Sequence, residues 1–306
     1  MNGLLIIDKP RGMTSFDVVR RVRKLCGTRR VGHAGTLDPL ATGVLPVAVG
    51  EGTRIVQFLM EGDKTYQATL KLGEITDTQD AEGEILERRP VVGVTEETVA
   101  AASRSWVGKV SQVPPMYSAL KKDGVPLYRL ARKGIEVERQ ARQVEIRRLE
   151  IREFRLPYVS FEVDCSKGTY VRSLCHDLGL ALGTGAHLTA LRRTRNGMFT
   201  ESDSITLEKL AADANAGISP ELLSLTEALR GFPSYEVSET AASRLRDGVP
   251  PELTSVNGSV SCEEGEKVLL LGDGILLAVA SFAPSRIREK RGDFELLRVF
   301  NRPGHE

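Results

Sequence analysis

Strand-like segments that follow one another directly, without a helix between them, are the feature that most constrains how this chain can fold. Residues 144–154 and 158–165 both read as strands and are separated by only three residues. Residues 66–72 alternate apolar and polar side chains, which predicts a strand with one buried face. Helical patterns are interspersed among the strands irregularly. A doubly wound parallel sheet would alternate strand and helix, so we predict an α+β fold with a mixed, largely antiparallel central sheet.

Caps, turns and periodicity predict most of the other elements. A strand at 3–7 is followed by a helix that Thr14 or Ser15 caps and that ends near Gly27. Residues 32–43 are predicted to form an irregular glycine-rich loop. Further strands are predicted at 44–49 and 188–195, and further helices at 53–60, 96–106, 169–182 and 239–246.

The 306 residues are enough for one large domain and one small one. The plausible linkers lie at 218–220 and 231–233, where Pro and Gly interrupt the pattern. After them come short strands at 267–271, 275–281 and 294–300, with Asp273-Gly274 as a hairpin turn. We therefore predict a large domain at 1–232, of a size suited to a catalytic domain, and a small β-rich domain at 233–306.

Composition excludes several classes of protein. The longest apolar run, 275–283, is interrupted only by Ser281 and is far too short to span a bilayer, and the N-terminus lacks the basic and small-residue regions of a signal peptide. The four cysteines and four histidines match no disulfide framework or metal-ligand spacing. We therefore expect a cytoplasmic protein without a membrane segment or a metal site.

The net charge of +1 conceals an uneven charge distribution. Residues 20–30 carry six basic side chains and no acid, and residues 121–148 carry nine basic side chains against four acids. Further basic clusters lie at 192–195 and 286–291, while acids concentrate at 77–87 and 263–266. Any one cluster could be a solvated helix face, but four of them favour a polyanionic partner such as RNA.

Asp38 is the only acid between Asp17 and Glu51, and it stands before a proline in the glycine-rich loop. A carboxylate isolated in this way could be a nucleophile or a general base. From the residues alone, the favoured alternative is an Asx turn in which the carboxylate satisfies its own loop. Motifs for a serine hydrolase, a zinc protease or a nucleotide-binding loop are absent from the sequence.

Six segments together resemble the tRNA pseudouridine-55 synthases of the TruB family. The first two, residues 8–15 (DKPRGMTS) and 32–43 (GHAGTLDPLATG), contain about twenty matching positions and are highly specific. The others follow in the family's order and extend the resemblance over residues 3–200: KTY at 64–66, PPMYSA at 114–119, GTYVR at 168–172 and LRRT at 191–194.

The resemblance implies a pseudouridine synthase fold and a cofactor-free isomerisation of uridine 55 in the T arm of tRNA to pseudouridine. Two other functions stay open. Guide-dependent synthases, which share the GHAGTLDP segment, modify other RNAs with protein partners and a guide RNA. An RNA-binding or RNA-folding protein whose catalysis is incidental is the third possibility.

The same resemblance assigns roles to individual residues. Asp38 corresponds to the catalytic nucleophile, Arg172 to its cationic partner, and Tyr66 to an aromatic residue that stacks on the target base and is a candidate for proton transfer. His33, Tyr170 and Leu191 correspond, with Tyr66, to substrate-binding positions. From the pattern alone, Tyr66, Tyr170 and Leu191 would be core residues, His33 a turn residue and Arg172 a surface arginine. Lys9 corresponds to a residue that supports the site without a chemical role.

The resemblance also concerns the RNA-binding surfaces. The basic segment at about 114–148 corresponds to one that closes over the RNA stem-loop. Residues 233–306 resemble a PUA domain, a small RNA-binding pseudo-barrel, in which residues 286–291 could approach the acceptor end of tRNA; a purely stabilising role is equally open. Because no conspicuous apolar surface stripe is left over, we expect a monomer.

Overall fold

The computed structural model describes residues 1–285 and 292–300 of the chain. The strands are β1 (Gly3–Lys9), β2 (Val31–His33), β3 (Thr42–Val49), β4 (Lys64–Leu72), β5 (Glu74–Thr76), β6 (Ile85–Arg88), β7 (Gly108–Gln112), β8 (Lys121–Lys122), β9 (Val125–Pro126), β10 (Arg142–Arg155), β11 (Tyr158–Cys165), β12 (Ala186–Asn196), β13 (Phe199–Thr200), β14 (Ile205–Thr206), β15 (Ser234–Glu236), β16 (Lys267–Gly272), β17 (Ile275–Phe282) and β18 (Phe294–Val299). The α-helices are α1 (Ser15–Leu25), α2 (Val56–Leu59), α3 (Glu96–Arg104), α4 (Leu127–Ala131), α5 (Val171–Ala181), α6 (Leu207–Asn215), α7 (Leu225–Ala228) and α8 (Glu239–Arg246).

Ten strands form the central sheet, in the order β14-β1-β3-β12-β4-β11-β10-β7, with β2 paired to β3 and β13 to β12. Two of its pairings, β1 with β14 and β3 with β12, are parallel, and its other pairings are antiparallel. The predicted α+β class with a mixed, largely antiparallel sheet is therefore confirmed.

One face of the central sheet carries the main core. The alternating residues Tyr66, Ala68, Leu70 and Leu72 are all buried there, as predicted. Helices α1 and α5 pack on this face and contribute, for example, Val18 and Leu174 to the same apolar cluster. Helix α1 begins as predicted because Thr14 caps it, and α5 ends within one residue of the predicted position.

The structure differs from the predictions at two places near the N-terminus. The predicted helix at 53–60 is a 3-10 turn at Gly50–Arg54 followed by the short α2. Gly52 in this turn packs against the backbone of Gly3, since a Cβ there would lie 2.2 Å from the Gly3 carbonyl oxygen. The first two residues of the predicted loop at 32–43 belong instead to β2, which pairs with β3.

The second sheet consists of β15, β16, β17 and β18, all within residues 234–299. Asp273 and Gly274 both have positive φ angles, 55° and 73°, and form the predicted hairpin turn between β16 and β17. This sheet packs on the face of the central sheet opposite the main core, through a cluster that joins Leu4 and Ile6 to Leu269 and Val279. The predicted basic cluster at 286–291 lies outside the described residues.

None of the helices in residues 1–285 and 292–300 is long and apolar enough to cross a membrane.

Candidate active site

Asp38 lies in the loop between β2 and β3, and hydrogen bonds hold the backbone on both sides of it. The Ser15 hydroxyl, at the start of α1, accepts from the backbone N–H of Leu37 at 2.8 Å and donates to its carbonyl at 3.1 Å. On the other side, the Pro39 carbonyl accepts from the backbone N–H of Gly12 at 2.8 Å. The Asx turn that the pattern alone allowed is therefore not needed to hold this loop.

Arg193 and Asn196 on β12 fix the preceding part of the same loop. The Arg193 guanidinium donates to the carbonyls of Val44 at 2.8 Å and Gly35 at 3.0 Å, and the Asn196 amide donates to Ala34 at 2.9 Å. Both side chains are 1% exposed. Because these carbonyls are held by cationic or amide donors from a central strand, the loop is attached rigidly to the sheet.

The structure brings Arg172 and Asp38 into contact. Arg172 is in the first turn of α5, is 4% exposed, and places Nε 2.9 Å from an Asp38 carboxylate oxygen, in an ion pair rather than a well-aligned hydrogen bond. Its other two nitrogens donate to the carbonyls of Thr78 at 2.9 Å and Tyr117 at 2.8 Å. The guanidinium is therefore oriented from three directions, which a lysine could not reproduce.

A second carboxylate shares this arginine. Asp80 is 4% exposed, and one of its oxygens lies 3.5 Å from Arg172. The Thr78 hydroxyl and the backbone N–H of Glu82 donate to the other oxygen, at 2.6 and 3.0 Å. The Arg172 guanidinium therefore contacts two carboxylates, Asp38 through Nε and Asp80 through Nη1.

Burial raises the pKa of the Asp38 carboxyl, and Asp80 raises it further, while Arg172 and Lys9 act to lower it. The Asp38 side chain is 36% exposed, and it lines a cavity. Without its cationic neighbours, a carboxylate in this position would be protonated more readily.

Lys9 supports the site by hydrogen bonds to backbone carbonyls. Its side chain is fully buried, and its ammonium donates to the carbonyls of Pro10 at 2.9 Å, Met13 at 2.6 Å and Pro39 at 3.5 Å. Burial lowers its pKa to about 8, against the opposing effect of Asp38. Two of these carbonyls belong to the connection between β1 and α1 and the third to the Asp38 loop, so Lys9 joins the two segments, as expected of a supporting residue.

The cavity beside Asp38 has a volume of about 660 Å³. Its walls include Asp38, Tyr66, Tyr170, Arg172 and Leu191, which are five of the six residues predicted from the sequence. His33, the sixth, is on β2 opposite Val47 and does not line this cavity. Burial lowers the pKa of His33, and Arg193 lowers it further.

Tyr66 is 8% exposed, so it belongs both to the core and to the cavity wall. Burial raises the pKa of its hydroxyl, while Arg193 acts in the opposite direction. At neutral pH the hydroxyl therefore keeps its proton and can donate it to a group in the cavity.

A second cavity of about 660 Å³ lies on the other face of the sheet, around Gln67, Arg152 and Arg192. Two of the three arginines that line it are already paired: Arg192 with Asp8 and Glu201, and Arg152 with two glutamates of the sheet. The Asp38 cavity is the better candidate because it combines a carboxylate of raised pKa, a shared arginine and two tyrosines.

The sequence analysis missed Asp80 and the structural importance of Arg193. Asp80 lies in the acidic stretch 77–87, where it counted only as compensating charge. Arg193 is within the LRRT segment, but the sequence gives no sign that it reaches the loop almost 160 residues earlier, as its bond to the Gly35 carbonyl does.

The basic segment 114–148 borders the Asp38 cavity, to which it contributes Ser118, Ala119 and Arg142. Ion pairs within the part of the chain that the structure describes include Arg139, Arg147 and Arg148 of this segment. They do not include its exposed residues Lys121, Lys122, Arg129, Arg132, Lys133 and Arg142. These six positive charges are available to an anionic ligand.

Comparison with protein families gives two adjoining matches. Residues 23–171 match the N-terminal domain of the TruB family of pseudouridylate synthases, and residues 172–229 match the C-terminal domain of tRNA pseudouridylate synthase B. The chain is 54% identical to the tRNA pseudouridine synthase B of Syntrophotalea carbinolica over 99% of both chains. It is 46% identical to that of Geobacter sulfurreducens, over 98% of this chain and 100% of the relative.

Two solved structures share this fold. One is an H/ACA RNP bound to a substrate RNA containing 2′-deoxyuridine, with a TM-score of 0.75 and 26% identity over 98% of this chain and 85% of the other. Another is a Cbf5-Nop10-Gar1 complex, with a TM-score of 0.75 and 28% identity over 97% of this chain and 84% of the other.

Proposed function

Because the chain belongs to the TruB family of pseudouridylate synthases, we propose that it isomerises uridine 55 in the T arm of tRNA to pseudouridine. That it is a tRNA pseudouridine synthase follows from relatives of that name that match over its full length. The observation that carries the proposal is the Asp38–Arg172 ion pair at the wall of a cavity that two tyrosines also line.

The reaction exchanges one glycosidic bond for another. The bond between uracil N1 and ribose C1′ breaks, the base turns, and a bond between C5 and C1′ forms. C5 loses its proton and N1 gains one, so no group is taken up or released. An enzyme for this reaction must reach a base that is outside its stack and keep it in place while it is detached. A cavity of about 660 Å³ is large enough for a uracil ring.

Asp38 acts as the nucleophile in this proposal, and Arg172 keeps it ionised. Burial already raises the pKa of Asp38. A target base that enters the cavity removes more water and raises that pKa further, so the contact of 2.9 Å to Arg172 becomes more important in the complex than in the free protein. Asp80, on the other side of the guanidinium, orients it as it holds this charge.

The aromatic and apolar walls hold the base. Tyr66 offers a ring for stacking and a protonated hydroxyl for proton transfer, Tyr170 contributes a second ring to the cavity wall, and Leu191 contributes an apolar surface. His33 lies outside these walls, so its proposed role is a contact with the RNA near the position that the base leaves.

The segment 114–148 binds the RNA stem-loop through phosphates. Its six exposed cations outside ion pairs, such as Lys121 and Arg132, are suited to positioning a polyanion without reading its sequence. Residues 233–306 form the PUA-like, RNA-binding domain of the proposal, and residues 1–232 the catalytic domain. We further propose that the protein acts as a monomer in the cytoplasm, without a cofactor or a metal.

The test uses the purified chain and a tRNA transcript without other proteins or guide RNA. Pseudouridine is mapped by carbodiimide tagging and primer extension. We expect one new tagged site at position 55, and none in a transcript with cytidine at that position. Modification at other positions only would contradict the proposed target, and an inactive chain that gains activity with a guide RNA and partners would favour the guide-dependent alternative.

A further inference from the structure

Gln112 binds the main chain of Tyr170 with both ends of its side-chain amide. It is the last residue of β7 and is 2% exposed. Its Nε2 donates to the Tyr170 carbonyl at 3.0 Å, and the backbone N–H of Tyr170 donates to its Oε1 at 2.8 Å. The amide thus forms the pair of hydrogen bonds that a neighbouring strand would otherwise provide.

Tyr170, which Gln112 binds, lies at a point in the fold where a shift of its backbone would affect the reaction. Tyr170 is the N-cap residue of α5, and its own side chain does not cap the helix. It lines the Asp38 cavity and precedes Arg172, the partner of Asp38, by two residues. A shift of the Tyr170 backbone would therefore move both the ring and the guanidinium relative to Asp38.

Other bonds fasten the same two parts of the chain together. The Ser173 hydroxyl of α5 donates to the Val113 carbonyl at 3.2 Å, and Arg172 donates to the Tyr117 carbonyl at 2.8 Å. Residues 112–117, where the basic segment 114–148 begins, are thus attached to the first turn of α5. Within 112–117, all of which the structure describes, the Gln112 side chain binds the backbone of a cavity residue with two hydrogen bonds.

We propose that Gln112 is a positioning residue for the reaction: its two hydrogen bonds to Tyr170 hold the Tyr170 ring and the Arg172 guanidinium against the Asp38 cavity. It touches neither Asp38 nor the cavity interior and acts through the residues that it holds. This inference rests on the proposed function.

The test replaces Gln112 with methionine, which keeps the size of the side chain and removes both bonds. A Gln112→Glu variant keeps the acceptor but turns a carboxylate oxygen toward the Tyr170 carbonyl. The matched control is Gln67→Met, because Gln67 is exposed on the face of β4 opposite to that of Tyr66. Three quantities are measured: the single-turnover rate constant for tritium release from a T-arm hairpin labelled at uracil C5, the Kd for that hairpin, and hydrogen exchange in residues 168–174.

Both Gln112 variants are expected to lose about tenfold to hundredfold in the rate constant, as small displacements of reacting groups do. The Kd should change less than about threefold, because the exposed cations of 114–148 bind the RNA. Exchange at Tyr170 should rise at least about fivefold, since its N–H loses a hydrogen-bond partner in Gln112→Met. Gln67→Met should match the wild type in all three quantities.

A wild-type rate constant in either Gln112 variant would overturn the inference, as would a loss of affinity that accounts for the whole loss of rate. Unchanged exchange at Tyr170 in Gln112→Met would overturn it too, and this readout does not depend on activity. A wild-type chain that releases no tritium would overturn the proposed function as well, so the two failures are distinguishable.

Discussion

Replacing Arg172 by methionine should disable the site through the ionisation of Asp38. Arg172 lies 2.9 Å from Asp38 and also holds Asp80, Thr78 and Tyr117. Methionine removes the positive charge and leaves these groups without their shared partner. The carboxylate whose pKa burial already raises then loses the strongest influence that lowers it.

The size of this effect follows from Coulomb's law. Charge centres about 4 Å apart interact by about 4 kcal/mol at an effective dielectric constant of about 20. Because the Asp38 side chain is 36% exposed, water screens the pair, and about 2 kcal/mol is the better figure. This energy corresponds to an increase of about 1.5 units in the pKa of Asp38.

The assay is the pH dependence of the single-turnover rate of tritium release. If the reaction needs the Asp38 carboxylate, the rate rises with pH through the pKa of that group, and Arg172→Met moves this rise upward by about 1.5 units. The deficit of the variant is therefore largest at low pH and shrinks as the pH rises. Arg172→Lys keeps the charge without the bonds to Thr78 and Tyr117 and should shift the rise less.

A loss of activity in Arg172→Met that is the same at every pH would refute this reasoning, because it would indicate a damaged site rather than a protonated nucleophile. Thermal unfolding of each variant identifies a folding defect directly. An Arg172→Lys profile shifted as far as that of Arg172→Met would also contradict the electrostatic account.

Three further outcomes follow from the described contacts. Lys9→Met should lower the free energy of unfolding by about 2 kcal/mol in urea titrations, since three backbone carbonyls lose a donor. The rate of tritium release by the folded fraction should change less than about fivefold. A rate loss above a hundredfold at unchanged stability would contradict the supporting role. Burial raises the pKa of Asp177 to about 6, above its unfolded value, so the contribution of Asp177 to wild-type stability should fall as the pH rises from about 4 to 6. Asp177→Asn should lack this decline and be about 1–2 kcal/mol more stable at pH 7, and equal urea midpoints would disprove it. Finally, the Kd for the T-arm hairpin should increase steeply with salt, and a nearly flat dependence would rule out phosphate binding by residues 114–148.

Local patterns predicted the elements that local forces determine. The capping residue Thr14 and the alternation from Tyr66 to Leu72 each depend on neighbours within a few residues, and both predictions agree with the structure. The helix predicted at 53–60 is confirmed only in part, at Val56–Leu59, and the 3-10 turn before it contains Gly52, which packs against the backbone of Gly3 about fifty residues away. Such contacts leave no trace in a short window of sequence.

The candidate site shows the same contrast between features set by local sequence and features set by long-range contacts. The resemblance carried by the GHAGTLDP segment placed Asp38, and the structure brings Arg172 to it across more than 130 residues of chain. The groups that orient this pair, Asp80 and the clamp of Gln112 on Tyr170, depend on contacts between residues far apart in sequence. Reasoning from residue spacing could not join them, because it has no access to which loops meet in the folded protein.

The central claim is that Asp38 performs the isomerisation of uridine in the T arm. Its most direct test compares the wild type with Asp38→Asn on a T-arm hairpin tritiated at uracil C5, because forming the C5 glycosidic bond must expel that hydrogen. The account predicts stoichiometric tritium release by the wild type, and none by the variant, with the hairpin bound by both. Release by Asp38→Asn at the wild-type rate would contradict the assignment of the nucleophile, and no release by either would contradict the reaction itself.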